Sequence, residues 1–154
     1  MDKKIKIIKT GKNFRDAEIL FREYAAWLDF DLCFQGFEKE LETLPDFYCS
    51  PGGIWLAYCG DELAGCAALR KIDGETCEMK RLFVREKFRG LKIGRTLSET
   101  LMKAAKENGF KTMKLDTLER MKEAVALYKS MGFAVSAPYR NNPMPDVIYM
   151  EIKL

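Results

Sequence analysis

The chain has 154 residues, 47% of them hydrophobic and 32% charged, and 26 basic against 23 acidic residues leave a net charge of +3. That length suits one domain spanning residues 1–154, large enough to bury a core without disulfide or metal staples, and the small charge excess argues against a broad nucleic-acid surface. No apolar run approaches the ~18 residues of a membrane helix, and the charged start Met1-Asp2-Lys3-Lys4 is no secretory leader, so a cytoplasmic protein with no membrane partner is expected. Histidine is absent, which removes the commonest general base, the commonest zinc ligand and the usual Ser/His and Cys/His nucleophile pairs. Five cysteines form no Cys-x-x-Cys pair and read as small reduced core residues; no metal is expected.

Lys3 to Lys9 alternates lysine and isoleucine and predicts a first strand, closed by Thr10-Gly11. Asn13 can cap a helix in which Ala17, Phe21, Tyr24 and Leu28 recur at helical spacing. Phe34, Phe37, Leu41 and Leu44 predict a second, shorter helix that stops near Pro45. The aromatic residues around this corner are either core packing or, from Asp29 to Gln35, one wall of a substrate cleft.

Three strands follow as an antiparallel meander: Ile54 to Cys59, Glu62 to Lys71 and Thr76 to Val84. They are joined by the hairpin signals Gly60-Asp61 and Asp73-Gly74, and Gly65 marks a bulge. A helix carrying Ile93, Leu97, Leu101 and Ala105 on one face ends at Asn108-Gly109. Lys111 to Asp116 is the fifth strand, parallel to the fourth because a whole helix separates them. A last helix, Met121 to Met131, stops at Gly132. Strands Phe133 to Ser136 and Val147 to Leu154 then flank a proline-containing loop from Ala137 to Asp146.

Between the fourth strand and its helix lies Arg85-Glu86-Lys87-Phe88-Arg89-Gly90-Leu91-Lys92-Ile93-Gly94-Arg95-Thr96. A glycine-containing turn opening into a helix leaves several backbone N–H groups free, with the positive end of the helix dipole behind them. Lys87, Arg89, Lys92 and Arg95 make the expected ligand polyphosphate-like; the alternative is an ordinary strand-to-helix connection with solvated charges.

This stretch, together with Leu82-Phe83-Val84 before it and Ala126-Leu127-Tyr128-Lys129-Ser130-Met131-Gly132-Phe133 after it, resembles the GCN5-related N-acetyltransferase (GNAT) family over nearly the full length in element order. The family turn has the form Arg/Gln-x-x-Gly-x-Gly/Ala. Arg89 and Gly94 match its ends, and Lys92 stands where the middle glycine is found. The resemblance implies an α/β fold, a mixed, mainly antiparallel seven-stranded sheet flanked by about four helices, with parallel strands four and five splayed for the cofactor. It implies acetyl-coenzyme A (acetyl-CoA) as cosubstrate, its pantetheine along Leu82, Phe83 and Val84 and its pyrophosphate on the amides from Arg89 through Gly90, Leu91, Lys92, Ile93, Gly94 and Arg95 to Thr96. Lys87 and Arg95 either meet the 3′-phosphate or are solvated.

Acetyl transfer to an amine needs a neutral nitrogen, a stabilised oxyanion and a proton for the leaving thiolate. The resemblance points to Tyr128 as the acid and to the Leu82 N–H as the oxyanion donor, with a core tyrosine as the alternative reading. Glu78 matches the place of a catalytic glutamate in some members. By alternation it shares a strand face with Lys80 and Leu82, or it merely pairs with Lys80 or Arg81. Cys77, one residue away on the other face, is a poor candidate for a covalent intermediate. Tyr139, Arg140, Asn141 and Asn142, with Arg70, Lys80 and Arg81, suggest a small-molecule amine bearing an anion as the acceptor. A protein or peptide amine, or a non-catalytic acyl-CoA sensing module, remains open, and a homodimer is a common arrangement for such chains.

Overall fold

The computed structural model describes residues 4–28 and 36–154. The expected cleft wall at residues 29–35, and the start of the second helix at Phe34, lie outside the described residues. The described residues form five α-helices and seven strands: β1 Ile5–Lys9, α1 Arg15–Leu28, α2 Phe37–Glu42, α3 Leu44–Phe47, β2 Gly53–Cys59, β3 Glu62–Lys71, β4 Thr76–Val84, α4 Ile93–Glu107, β5 Thr112–Leu118, α5 Lys122–Ser130, β6 Ala134–Val135 and β7 Val147–Lys153. The strands form one sheet in the order β1-β2-β3-β4-β5-β7-β6, antiparallel except for the parallel pair β4–β5.

Local chemistry explains most of these boundaries. Asn13 Oδ1 accepts from the Arg15 N–H at 2.9 Å and caps α1. In the hairpin after β3, Asp73 Oδ1 accepts from the Glu75 and Thr76 N–H groups, each at 2.9 Å. The bulge expected near Gly65 is there: Ala57 pairs Gly65 and Tyr58 pairs Leu63, leaving Ala64 over. Pro45 behaves differently from expectation. It occupies the first turn of α3, where its missing N–H costs nothing, so it opens a helical turn and α2 ends earlier, at Glu42.

Apolar faces cover both sides of the sheet. Ile93, Leu97 and Leu101 of α4 and Tyr128 of α5 pack on Leu69, Met79 and Met113. On the other side Ala17, Leu20 and Phe21 of α1, with Phe37, Leu41 and Leu44, cover Ile54, Cys66 and Phe83.

Two departures from regular pairing shape the centre. First, β4 and β5 pair only at Thr76↔Thr112, Cys77↔Met113 and Glu78↔Lys114, whereas β5 stays paired with β7 through Leu118↔Val147. Beyond Glu78 the parallel strands part. Second, β3 places Ala68 opposite Lys80 and Cys66 opposite Phe83, so Ala67 alone spans two residues, Arg81 and Leu82. Arg81 adopts a left-handed backbone with φ 59, and β4 carries a bulge there. This corrects the alternation expected of Glu78, Lys80 and Leu82: the extra residue shifts Leu82, which packs against the α4 cluster that contains Cys77 and Met79.

Candidate active site

The chain leaves β4 at Val84 and reaches α4 through a short 3-10 turn, Glu86–Phe88, anchored by the buried Phe88. Arg85 fixes the start, its N–H donating to Ala64 O at 2.8 Å and its guanidinium gripping Glu23 at 2.6 Å. Past this anchor, Gly90 takes φ 88 and Lys92 φ 62. The first N–H bonded back into α4 is that of Thr96, to Lys92 O at 3.0 Å; among the described residues no backbone acceptor takes the N–H groups of residues 90–95. These donors and the helix N-terminus border a cleft of about 830 Å³. Its walls include Trp27, Leu82, Phe83, Val84, Arg89, Gly90, Lys92, Ile93, Gly94, Arg95 and the α5 side from Arg120 to Leu127.

Of the expected cradle residues, Leu91 and Thr96 do not line this cleft, and Leu91 is exposed. The four cations expected to favour a polyphosphate also divide. Lys87 lies outside the cleft, paired with Glu62 at 2.7 Å. Arg95 is shared between Glu99 at 3.4 Å and Ser130 Oγ at 2.8 Å. Arg89 sits 5.0 Å from the Trp27 ring centre and donates to Val84 O at 3.2 Å. Lys92 lines the cleft and takes the glycine-favouring conformation without a side-chain cap, at a strain of about 1–2 kcal/mol.

Where β4 and β5 separate, a second, smaller cavity of about 50 Å³ opens, lined by Tyr24, Lys80, Arg81, Leu82, Asp116, Thr117, Tyr128 and Asn142 among others. Leu28, Leu82 and Met121 border both spaces, so the cleft and this chamber meet at Leu82. Tyr128 is buried, its ring edge-on to Phe133 with centres 5.8 Å apart, and its hydroxyl has no hydrogen bond to the described residues. Burial pushes this phenol far above its ordinary pKa, so the hydroxyl keeps its proton.

Glu78 lines neither cavity. With a side chain only 1% exposed, it accepts from the Tyr139 hydroxyl at 2.6 Å and forms an ion pair with Arg140. Arg140 in turn brings its Nε within 4.0 Å of Asp116 Oδ2, which also accepts from Asn142 Nδ2 at 3.0 Å. The structure thus gathers Tyr139 and Arg140 on Glu78, with Asn142 on the adjoining Asp116; Arg70 stands directly across from Glu78 in the β3–β4 register, but its guanidinium lies 4.1 Å from the Phe47 ring centre. Burial pushes the Cys77 thiol up to about 12, which suppresses the thiolate a nucleophile needs.

Arg81 is held from the opposite side. Its Nε and guanidinium NH2 donate to the two Glu40 oxygens at 3.1 and 2.8 Å, and Tyr48 donates its hydroxyl to Glu40 Oε2 at 2.8 Å. Burial works to raise the Glu40 carboxyl, but the Arg81 hydrogen bonds and charge outweigh it and hold the pKa below its ordinary value. Sequence alone gives no site role to Glu40 or Asp116 and reads Tyr24 only as part of the helical stripe of α1. Two had a signal: Glu40 sits inside the apolar stripe of Phe37, Leu41 and Leu44, and Lys114 and Asp116 alternate with Met113 and Leu115 in a central strand.

A cleft bordered by helix-terminal amides thus meets, beside the β4 bulge, a chamber holding a protonated tyrosine. Residues 21–133 match the model of the acetyltransferase (GNAT) family, and the chain belongs to that family of acetyltransferases. An uncharacterized N-acetyltransferase from Schizosaccharomyces pombe is 37% identical over 97% of this chain and 94% of its own length. Among solved structures, an acetyltransferase from Streptococcus agalactiae superposes with a TM-score of 0.82 at 25% identity, over 97% of this chain and 98% of that one. The PaiA N-acetyltransferase of Thermoplasma acidophilum, solved with coenzyme A, gives a TM-score of 0.78 at 20% identity over 98% and 99% of the two chains.

Proposed function

We propose that this chain transfers the acetyl group of acetyl-CoA to the primary amine of a small molecule in the cytoplasm, by direct attack within a ternary complex. The observation that carries the reading is the junction at Leu82, where a cleft large enough for the carrier meets a chamber lined in part by Tyr128. The cleft fits the cosubstrate: Gly90, Lys92, Ile93, Gly94 and Arg95 border it where backbone N–H groups lack acceptors, which suits a pyrophosphate. Acetyl-CoA supplies a thioester whose C–S bond breaks as the amine nitrogen bonds to the acetyl carbon, and one proton is released overall. The Leu82 N–H is the donor for the developing oxyanion, and the Tyr128 hydroxyl donates to the departing sulfur.

For Glu78 the geometry favours positioning over direct proton uptake, because its Oε2 is engaged by Tyr139 and Arg140 and it borders neither cavity. Water in the chamber then relays the ammonium proton. Glu78→Gln tests this: a lower rate with an unmoved pH profile supports positioning, and a displaced limb identifies Glu78 as the base.

The main experiment is thiol release with an amine panel, alongside a thermal shift with acetyl-CoA. Ligand at ~100 times its Kd adds about 2.7 kcal/mol to stability. Tyr128→Phe lowers kcat by about 100-fold with acetyl-CoA affinity retained. Unchanged turnover removes Tyr128 as the acid, and cofactor binding without turnover on any amine favours a sensing module instead.

A further inference from the structure

Lys80 and Asp116 occupy a telling place in the sheet. The parallel register runs Thr76↔Thr112, Cys77↔Met113 and Glu78↔Lys114 and then stops. Continued by two residues, it would set Lys80 beside Asp116, an opposite-charge pair able to close the gap. Instead the strands have parted, and both side chains line the chamber between them.

Each is left incomplete. Lys80 is only 7% exposed, yet its ammonium has no ion pair or hydrogen bond among the described residues. Asp116 uses Oδ2 for Asn142 and Arg140, and Oδ1 has no hydrogen-bond partner among those residues. A buried cation without a partner is expensive. Its neighbour Arg81 shows the ordinary remedy, a bidentate carboxylate from Glu40. The carboxylates nearby act on Lys80 only through space: Glu78 is paired with Arg140 and Glu40 with Arg81, and neither forms an ion pair with Lys80.

We infer that the chamber recognises a zwitterionic aminocarboxylate, with Lys80 receiving the acceptor's carboxylate and Asp116 Oδ1 its ammonium. This rests on the acetyltransferase reading and narrows its acceptor to amines that carry a free carboxylate close to the nitrogen. Bound there, such a molecule closes the charge gap that the splay opens. Its nitrogen is held beside Asp116, in the space that Leu82 and Tyr128 border. A peptide amine lacks the anion, and a polyamine adds a cation next to Lys80; neither fits. The cavity of about 50 Å³ admits only a few heavy atoms, in keeping with a short separation between the two charges.

The test uses the full chain with acetyl-CoA and three matched probes for each candidate: the free amino acid, its methyl ester and the decarboxylated amine. The set covers the proteinogenic amino acids and β-alanine. The free acid is expected to exceed ester and amine in kcat/KM by about 30-fold, the scale of one charged hydrogen bond. Lys80→Met should bring the acid-to-ester ratio to within about threefold of unity, by raising KM for the acid. Acetyl-CoA affinity, measured by calorimetry on the same variant, reports that it folds. Esters or plain amines turned over as well as acids overturn the inference while leaving the acetyltransferase reading intact. So does an acid preference that survives Lys80→Met. Failure of the wild type to bind acetyl-CoA overturns both readings.

Discussion

Lys80 and Arg81 are adjacent, cationic and buried, and the fold treats them in opposite ways. Arg81 receives a carboxylate and, behind it, a tyrosine hydroxyl. Lys80 has no ion pair or hydrogen bond among the described residues, and burial, with the Arg81 charge, outweighs the pull of Glu78 and Glu40 and brings its pKa down from 10.5 to about 8. The difference separates a charge that builds the site from a charge kept for use in it. Arg81 sits at the bulge in a backbone conformation that a β-carbon disfavours, and its ion pair with α2 holds the strand in that shape. The bulge then turns Leu82 toward the junction of the two cavities. Lys80, with no such tether, faces the chamber at a desolvation cost that a bound anion offsets.

Removing the partner of Arg81 should have the largest effect. Glu40→Gln leaves a buried guanidinium facing a neutral amide and is expected to cost about 3–5 kcal/mol in chemical denaturation. A loss below about 1 kcal/mol would mean that the bulge does not depend on this pair.

Replacing Lys80 should act in the reverse sense. Lys80→Met removes an uncompensated buried charge and is expected to stabilise the protein by about 2–3 kcal/mol at pH 7. The folded-state pKa of about 8 lies below the ordinary 10.5, so the wild type carries its full penalty below pH 8. Between about 8 and 10.5 the folded form sheds the proton first, wild-type stability rises and the advantage of the Lys80→Met variant shrinks. The groups facing Lys80 include Glu78, Arg81, Glu40, Arg140, Asp116, Tyr24 and Tyr128, so the same comparison in an Asp116→Asn background separates its field from that of Lys80. A stability difference flat across this pH range contradicts the account.

The smallest effect is expected at the other left-handed residue. Lys92 has the same backbone strain as Arg81 but no side-chain cap to hold it. Lys92→Gly should therefore raise stability by about 1 kcal/mol or less, because relief of strain is partly cancelled by the greater freedom of glycine when unfolded. If the ammonium also meets phosphate, acetyl-CoA affinity falls in the same variant. A melting temperature that drops instead points to a packing role for the lysine stem.

Much of the architecture could be read in advance because its signals are local. Gly60-Asp61 and Asp73-Gly74 place the hairpins, the helix between β4 and β5 fixes their parallel sense, and Asn13 caps α1. What could not be read depends on partners far along the chain. Strict alternation fails in β4 because Glu40, 41 residues away, fixes Arg81. Pro45 reads equally well as the end of one helix or the start of the next, and only the packing of Leu44 and Tyr48 decides. Arg140 reaches Glu78 across 62 residues through an irregular loop with no periodicity to betray it. Lys92 was legible as a departure from a glycine, but its φ of 62 belongs to the folded turn.

The junction at Leu82, Leu28 and Met121 has a consequence for how such a chain diversifies. On the proposed reading the carrier would meet backbone amides and the N-terminus of α4, which depend little on side-chain identity, whereas the acceptor would meet the side chains of Lys80, Asp116 and Asn142, which line the smaller chamber. Substitutions at those three positions can retune the choice of acceptor while the machinery that handles the donor stays intact. The same scaffold is therefore modular across a boundary only a few side chains wide.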